Sequence, residues 1–260
     1  MTDAAEIAAW LAGGWTTWIL VLARIAGLCL AAPAFATPAL GWRIRVALAV
    51  LLTVAVAPTL PMARIAPGPA LVAAATVEVL AGAALGLAAG LVVAGARQAG
   101  EIVGLQAGLS AAALFDPEAG DELTAMGHLY GLVALATYLA LDGPLASVRG
   151  VVASYRVVPP GGIPISPALA REAFARVGLA LELAVRAAAP AALALTMAGL
   201  AMGLLGRAAP SLQLVSLALP VRSGLGLVLA FVGLAGLVAT LATAWDAASL
   251  ADPAWLWPAR

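Results

Sequence analysis

The chain has 260 residues, of which 64% are hydrophobic and 10% are charged, whereas soluble domains contain about 45–50% apolar and about 25% charged residues. Thirteen arginines balance thirteen acidic residues, so no basic surface for nucleic acid is expected. The single cysteine, Cys29, excludes a disulfide within the chain and a cysteine-based metal cluster.

Six apolar segments approach or exceed the roughly 20 residues that a helix needs to cross a hydrocarbon core. They lie at 10–32, 44–60, 70–95, 125–141, 178–205 and 212–244. The run from Pro159 to Pro167 predicts a long turn without helix, and Pro190 and Pro220 predict kinks or breaks in the last two segments. The sequence therefore predicts one all-α, polytopic domain over residues 1–260, and the short turn at Arg207 and Pro210 predicts a final helical hairpin.

Charged residues inside the apolar segments include Arg24, Glu78, Glu182 and Arg186. Glu182 and Arg186 are spaced i, i+4 with the acid first, so they are expected to neutralise each other. Arg24 and Glu78 have no partner nearby in the sequence, and an ionisable group at membrane depth needs protein or water around it. These two residues therefore either have a functional role or take part in packing between subunits.

Glycines recur at every fourth position in two stretches, at Gly82, Gly86 and Gly90 and again at Gly100, Gly104 and Gly108. This spacing predicts two separate helices that approach neighbouring backbones closely. The second stretch also contains Gln98, Glu101 and Gln106, which would be costly in lipid. We therefore expect it to lie inside an assembly or along a pore.

The sequence offers little for catalysis. His128 is the only histidine, and no nucleotide-binding, redox or nucleophile motif is present. The acidic residues Asp116, Glu118, Asp121 and Glu122 form either a solvated face or, less in keeping with their spacing, a site for a hard cation. No catalytic residue, cofactor or metal is predicted.

Several motifs in order resemble one family, that of the flagellar biosynthetic protein FliR and its injectisome counterpart SctT in the type III secretion export apparatus. The resemblance runs from about Trp18 to about Leu229. It rests on RIAGLCLAAPAF at 24–35, Pro38, Arg43, Arg45, Pro58, Glu78 with Gly82 and Gly86, AGEIVGLQAGLS at 99–110, Asp116–Pro117, Asp142–Gly143, Ser154 and RAAPSLQLVSLALPVRSGLG at 207–226.

The resemblance implies a non-enzymatic structural and gating subunit of an export gate, built from kinked helical hairpins in the bacterial inner membrane at the flagellar basal body. Its partners would be FliP-like, FliQ-like and FlhB-like subunits, and unfolded substrates would pass through the gate. The injectisome counterpart is the alternative. A small-molecule or ion transporter, with Arg24, Glu78 and Glu101 lining its site, is a rival from another class.

The resemblance also marks site residues, because the family's pore-plugging loop corresponds to the region from Gly104 to Glu122. Candidates for the plug and its gating are Gly104, Gln106, Gly108, Leu109, Ser110, Phe115, Asp116 and Pro117. Candidates for buried polar contacts or packing are Arg24, Glu78, Gly82, Gly86, Gly100, Glu101, Arg207, Pro210, Pro220 and Arg222.

Overall fold

The computed structural model describes residues 4–37, 40–63, 65, 68–109, 124–163, 167–208 and 214–247, and these residues contain helices and no strand. The helices are α1 (Ala4–Ala31), α2 (Trp42–Val56), α3 (Pro69–Gln106), α4 (Ala125–Ala140), α5 (Gly143–Val157), α6 (Pro167–Ala208) and α7 (Leu214–Ala247), with a 3-10 turn at Ala57–Thr59 after α2. Five of them are long and apolar enough to cross a membrane, and α4 with α5 would make a sixth span. The predicted all-α class is confirmed.

Some predicted boundaries are wrong. Helix α3 does not end at 95 but continues to Gln106, so the two glycine stretches up to Gly104 lie on one helix and not on two, and Gly108 follows its end. Its ionisable and amide side chains do not stop it, because Glu and Gln are good helix formers. Helix α6 begins at Pro167 rather than at 178, since proline is well suited to the first turn of a helix.

The two internal prolines do not end their helices. Pro190 lies inside α6 and Pro220 lies inside α7, and both helices continue past them. Each proline removes one backbone hydrogen bond, a loss that helices in apolar surroundings tolerate when adjacent groups satisfy the freed carbonyl.

The chain divides into two compact units. Unit 1 contains Met1–Leu91, Leu139–Arg176 and Trp245–Arg260, and unit 2 contains Val92–Tyr138 and Val177–Ala244. Helices α3, α4, α6 and α7 therefore contribute residues to both units.

The core of unit 1 is built around one face of α1. Val21, Ile25, Leu28 and Ala32 follow the i, i+4, i+7, i+11 spacing of a single helical stripe and are buried. They pack with buried residues of α2, its 3-10 turn, α3 and α5, namely Ala49, Val56, Ala57, Leu85, Val151 and Tyr155. Helix α1 is thus the central element of this unit.

Glycines let α1 and α3 approach closely. A side chain on Gly82 would collide with the carbonyl oxygen of Arg24, and one on Gly27 would collide with the carbonyl oxygen of Val79. A Cβ on Gly86 would lie 2.7 Å from the backbone nitrogen of Ala32. The close-packing role predicted for Gly82 and Gly86 therefore has a definite partner, the backbone of α1.

The apolar faces of α2, α6 and α7 remain largely uncovered. Each span contains a window long enough to cross a membrane. The share of that window buried inside the chain is 56% in α1 and 56% in α3, but only 17% in α2, 17% in α6 and 22% in α7. Leu200 and Leu204 on α6 and Val232 on α7 are among the exposed side chains. An apolar area of this extent requires lipid or other protein to cover it.

We predict that Gly82→Ala destabilises the chain, although alanine favours helix by about 1 kcal/mol over glycine. The added methyl group forces α1 and α3 apart, an overpacking that costs roughly 1–3 kcal/mol. Resistance to heat in mild detergent measures the effect. Gly203→Ala on α6 is the control, because nothing lies within 4 Å of its Cβ position; equal heat resistance of the two variants would contradict the prediction.

Candidate functional site

Arg24 and Glu78 form a buried ion pair in unit 1. Arg24 Nε on α1 donates to Glu78 Oε2 on α3 at 2.5 Å, and both side chains are almost inaccessible to solvent. The sequence predicted that each residue needs a protein or water environment, and the structure shows that each supplies it for the other. The pairing was not foreseen, because 54 residues separate them along the chain.

Further contacts from α5 and the turn after it surround the pair. Arg24 Nη1 donates to Ser154 Oγ at 2.7 Å, and Nη1 and Nη2 both lie 3.3 Å from the carbonyl oxygen of Val158. The guanidinium lies over the ring of Tyr155, 4.1 Å from its centroid, in the geometry of a cation–π interaction. Gly161 N donates to Glu78 Oε1 at 2.7 Å. One arginine therefore joins α1, α3 and α5.

A small pocket of about 180 Å³ opens beside this pair. It is lined by Ala73, Ala74, Val77, Glu78, Gly161 and Ile163. Among the described residues of that wall, Glu78 is the only ionisable one, and its two oxygens already accept hydrogen bonds from Arg24 and Gly161. The described wall of the pocket therefore holds its one charge in contacts within the chain.

The predicted pair of Glu182 and Arg186 is also present, in a different setting. Arg186 Nη2 lies 2.5 Å from Glu182 Oε1, and the two side chains are 73% and 50% exposed, respectively. Exposed pairs of this kind contribute little to stability. This pair is a local neutralisation on the surface of α6 and not part of the interior.

Helix α3 has Gln106 as its last residue and is followed by a left-handed glycine, Gly108, in unit 2. Gly108 has a φ of +76°; its N–H donates to the carbonyl of Leu105 at 3.1 Å, and the N–H of Leu109 donates to that of Gly104 at 3.0 Å. These two bonds define a Schellman motif, in which glycine readily takes the left-handed position after the helix. Gly108 therefore terminates the helix, whereas the sequence placed it on a close-packing face.

The N-terminus of α4 lies against the same end of α3. Thr124 N donates to Glu101 Oε1 at 2.6 Å, and Gly127 N donates to Thr124 Oγ1 at 3.1 Å. A Cβ on Gly104 would lie 2.5 Å from Thr124 Oγ1, and one on Gly100 would lie 2.8 Å from the Cα of Gly127. Gly100 and Gly104 thus provide the predicted close approach, and its partner is the first turn of α4.

Helices α6 and α7 also contact the end of α3 within unit 2. Ser223 Oγ donates to the carbonyl of Ala107 at 2.9 Å, and Thr196 Oγ1 donates to Gln106 Oε1 at 3.2 Å. We call the group formed by Glu101, Gly104, Gln106, Ala107, Gly108, Thr124 and Ser223 the loop base. It holds the chain just before residue 110 and just after residue 123.

Two residues predicted for the plug loop lie in a helix instead. Gly104 and Gln106 belong to α3, so the predicted loop starts after Gln106 and not at Gly104.

The residues predicted for buried contacts near the C-terminal hairpin differ in exposure. Arg207 is exposed in the last turn of α6, and Pro220 is exposed within α7. Arg222 is partly buried, and its Nε has no hydrogen-bond partner among the described residues. Ser110, Phe115, Asp116, Pro117 and Pro210, with the acidic residues 118, 121 and 122, lie outside the described residues.

The sequence reasoning missed α5 and the two residues that complete these sites, Tyr155 and Thr124. Helix α5 carries Arg149 and Arg156 and is too short and too polar to be found in a search for 20-residue apolar spans. The helical spacing of its buried residues Ser147, Val151 and Ser154 was the available signal. Among the described residues, no group of three or more His, Cys, Asp or Glu side chains could hold a metal ion.

We predict that Glu78→Gln lowers the free energy of unfolding by about 3–5 kcal/mol, because it removes the carboxylate that forms the buried ion pair with Arg24. Adding Arg24→Met to that variant should recover part of the loss, since it removes the uncompensated charge. Thermal unfolding in detergent measures both. Glu182→Gln, at the exposed pair, is the control and should change the free energy of unfolding by less than about 1 kcal/mol; a double variant less stable than Glu78→Gln alone would contradict the explanation.

Comparison with known proteins identifies the family. The family model described as "Bacterial export proteins, family 1" matches residues 15–248. The flagellar biosynthetic protein FliR of Pectobacterium carotovorum is 33% identical over 78% of this chain and 78% of its own length. That of Escherichia coli K12 is 31% identical, with 82% and 84% covered, and that of Caulobacter vibrioides is 30% identical, with 84% and 88% covered. The chain therefore belongs to family 1 of the bacterial export proteins, together with these FliR proteins.

Proposed function

We propose that this chain is the FliR-type subunit of the flagellar type III export gate, a single export-apparatus domain that assembles with FliP-like, FliQ-like and FlhB-like subunits in the bacterial inner membrane at the basal body. As a member of the family, the chain is a membrane-embedded component of the flagellar export apparatus and assembles with other export components. The names of the relatives favour the flagellum over the injectisome.

The observation that carries this proposal is the uncovered apolar surface of α2, α6 and α7. Helices of span length that bury only about a fifth of their windows inside their own chain are built to be covered by something else. The Glu182–Arg186 pair on α6 favours protein or water over lipid for that part of the surface, because even a paired charge is costly in hydrocarbon.

The polar contacts inside the chain disfavour a transporter. That alternative needs Arg24, Glu78 and Glu101 to be available to a substrate or coupling ion. Arg24 and Glu78 are instead bound to each other, and Glu101 accepts a hydrogen bond from Thr124. We expect no catalytic activity of its own, so other components of the apparatus would supply the energy for export.

The loop between Gly108 and Thr124 is proposed as the plug of the gate. Leu109, Ser110, Phe115, Asp116 and Pro117 remain the candidates for it, while Gly104 and Gln106 belong to the loop base that holds it. A small apolar segment could close a channel to ions by dewetting and still yield to a polypeptide.

We predict that a tagged copy of the chain, purified from gently solubilised native membranes, recovers FliP-like and FliQ-like proteins, identified by mass spectrometry. The apolar faces of α6 and α7 would otherwise lack a protein partner. A Leu200→Arg and Leu204→Arg variant is the comparison and should recover less of these partners, while Gly203→Ala should recover as much as the parent. Isolation of the parent chain as a stable oligomer of itself alone would argue against the gate and for a transporter.

We predict that deletion of Ser110–Phe115 raises ion leakage across the membrane while the complex still assembles, because the residues of the loop base are untouched. A voltage-sensitive dye reports the leak and co-purification reports assembly. Replacing the six residues with a Gly/Ser segment of equal length separates loss of the apolar plug from loss of length. An assembled deletion complex that remains impermeable to ions would refute the plug assignment.

A further inference from the structure

The N-terminus of α4 has a cap assembled from two helices. Thr124 is the N-cap residue, and its hydroxyl accepts the N–H of Gly127, the third residue of the helix. In a capping box, the side chain of that third residue, a Glu or Gln, accepts the N–H of the N-cap residue in return. Gly127 has no side chain, and Glu101 of α3 accepts that N–H instead, at 2.6 Å.

The surrounding glycines leave room for this arrangement. The three atoms nearest to a Cβ built on Gly127 are Oε1, Cδ and Cγ of Glu101, all within 3.1 Å. On the opposite side, Gly104 lets Thr124 lie against the backbone of α3, 2.5 Å from the position of a Cβ. The space that an ordinary capping residue on α4 would occupy is therefore filled by the carboxylate from α3.

We propose that Glu101 is a positioning residue of the gate, which fixes the point where the chain returns from the loop into α4. The outgoing end of the loop is held within α3 by the Schellman motif at Gly108. At the returning end, Thr124 accepts the N–H groups of Gly127 and His128 within α4, and Glu101 accepts the N–H of Thr124 and so ties this end to α3, one and a half turns before that helix ends. The carboxylate thereby keeps the two ends of the loop side by side. This inference rests on the proposed function of the loop.

The alternative is that Glu101 serves only to satisfy a buried donor. In that case, its loss would lower stability or assembly in general. Loss of a positioning residue instead loosens one end of the loop and leaves the rest of the complex in place. The two roles differ in the amide exchange of the first turn of α4 and in the ion leak of the assembled complex.

The test uses the complete export complex and compares four variants. Glu101→Ala removes the acceptor, and Glu101→Gln retains a side-chain oxygen that can accept the Thr124 N–H. Glu101→Ala with Gly127→Glu moves the carboxylate to the third residue of α4 and restores a capping box within one helix. Thr76→Ala is the control, because it removes an exposed side-chain hydrogen bond elsewhere on α3.

Glu101→Ala should accelerate hydrogen exchange at Thr124 and Gly127 by roughly ten- to a hundredfold, the factor that corresponds to one charge-assisted hydrogen bond, and should raise the ion leak. Glu101→Gln should remain within a few-fold of the parent in both measurements, and the control should change neither. The Glu101→Ala/Gly127→Glu variant should recover slow exchange and a low leak, since the transferred side chain has the space that Glu101 vacates.

Unchanged exchange in Glu101→Ala, or failure of the Gly127→Glu transfer to restore it, would overturn the inference. If Glu101→Ala does not assemble, recovery of assembly and slow exchange by the transfer supports the inference, and their absence overturns it. Suppose that the Ser110–Phe115 deletion leaks ions. A Glu101→Ala complex that exchanges fast but remains impermeable to ions then overturns the positioning role. If the deletion complex is itself impermeable to ions, the plug function has failed, and hydrogen exchange alone decides whether the cap exists.

Discussion

A charge inside apolar protein must be neutralised where it lies, and the architecture of unit 1 follows from how Arg24 meets that requirement. Its partner carboxylate is on α3 and its remaining acceptors are on α5 and in the turn after it, so these elements must meet at one point. The guanidinium can reach Glu78 because Gly27 and Gly82 bring the backbones of α1 and α3 together. The glycines and the ion pair are therefore two parts of one interaction: enlarging a glycine separates the charges, and removing a charge leaves its partner buried without compensation.

Helix α3 uses the same residue type for three different purposes along its length. Gly82 and Gly86 admit the backbone of α1, Gly100 and Gly104 admit the first turn of α4, and Gly108 adopts a left-handed conformation that ends the helix. The four-residue spacing identifies the first two roles, because it places glycines on one helical face. It cannot separate them from the third, since the role of Gly108 depends on the backbone bonds that follow it.

The sequence predicted what depends on local pattern and missed what depends on pairing. Hydropathy located the long helices, and the cost of a buried charge marked Arg24, Glu78 and Glu101 as residues that need protein partners. The partners themselves, Glu78 for Arg24 and Thr124 for Glu101, are 54 and 23 residues away, and no local pattern links them. Helix α5 was missed for a related reason: its buried face contains Ser147 and Ser154, so its helical period is hidden from a search based on hydrophobicity alone.

Directional polar contacts and non-directional apolar surface have different places in this chain. Arg24, Glu78 and Glu101 are bound within the chain itself, whereas the apolar faces of α2, α6 and α7 remain largely exposed. Apolar contacts are non-directional, so an apolar face can be covered in more than one arrangement of side chains. A buried hydrogen bond or ion pair, by contrast, requires one geometry. The point where the chain enters α4 is of the second kind, because the backbone N–H of Thr124 donates to a carboxylate on another helix, that of Glu101.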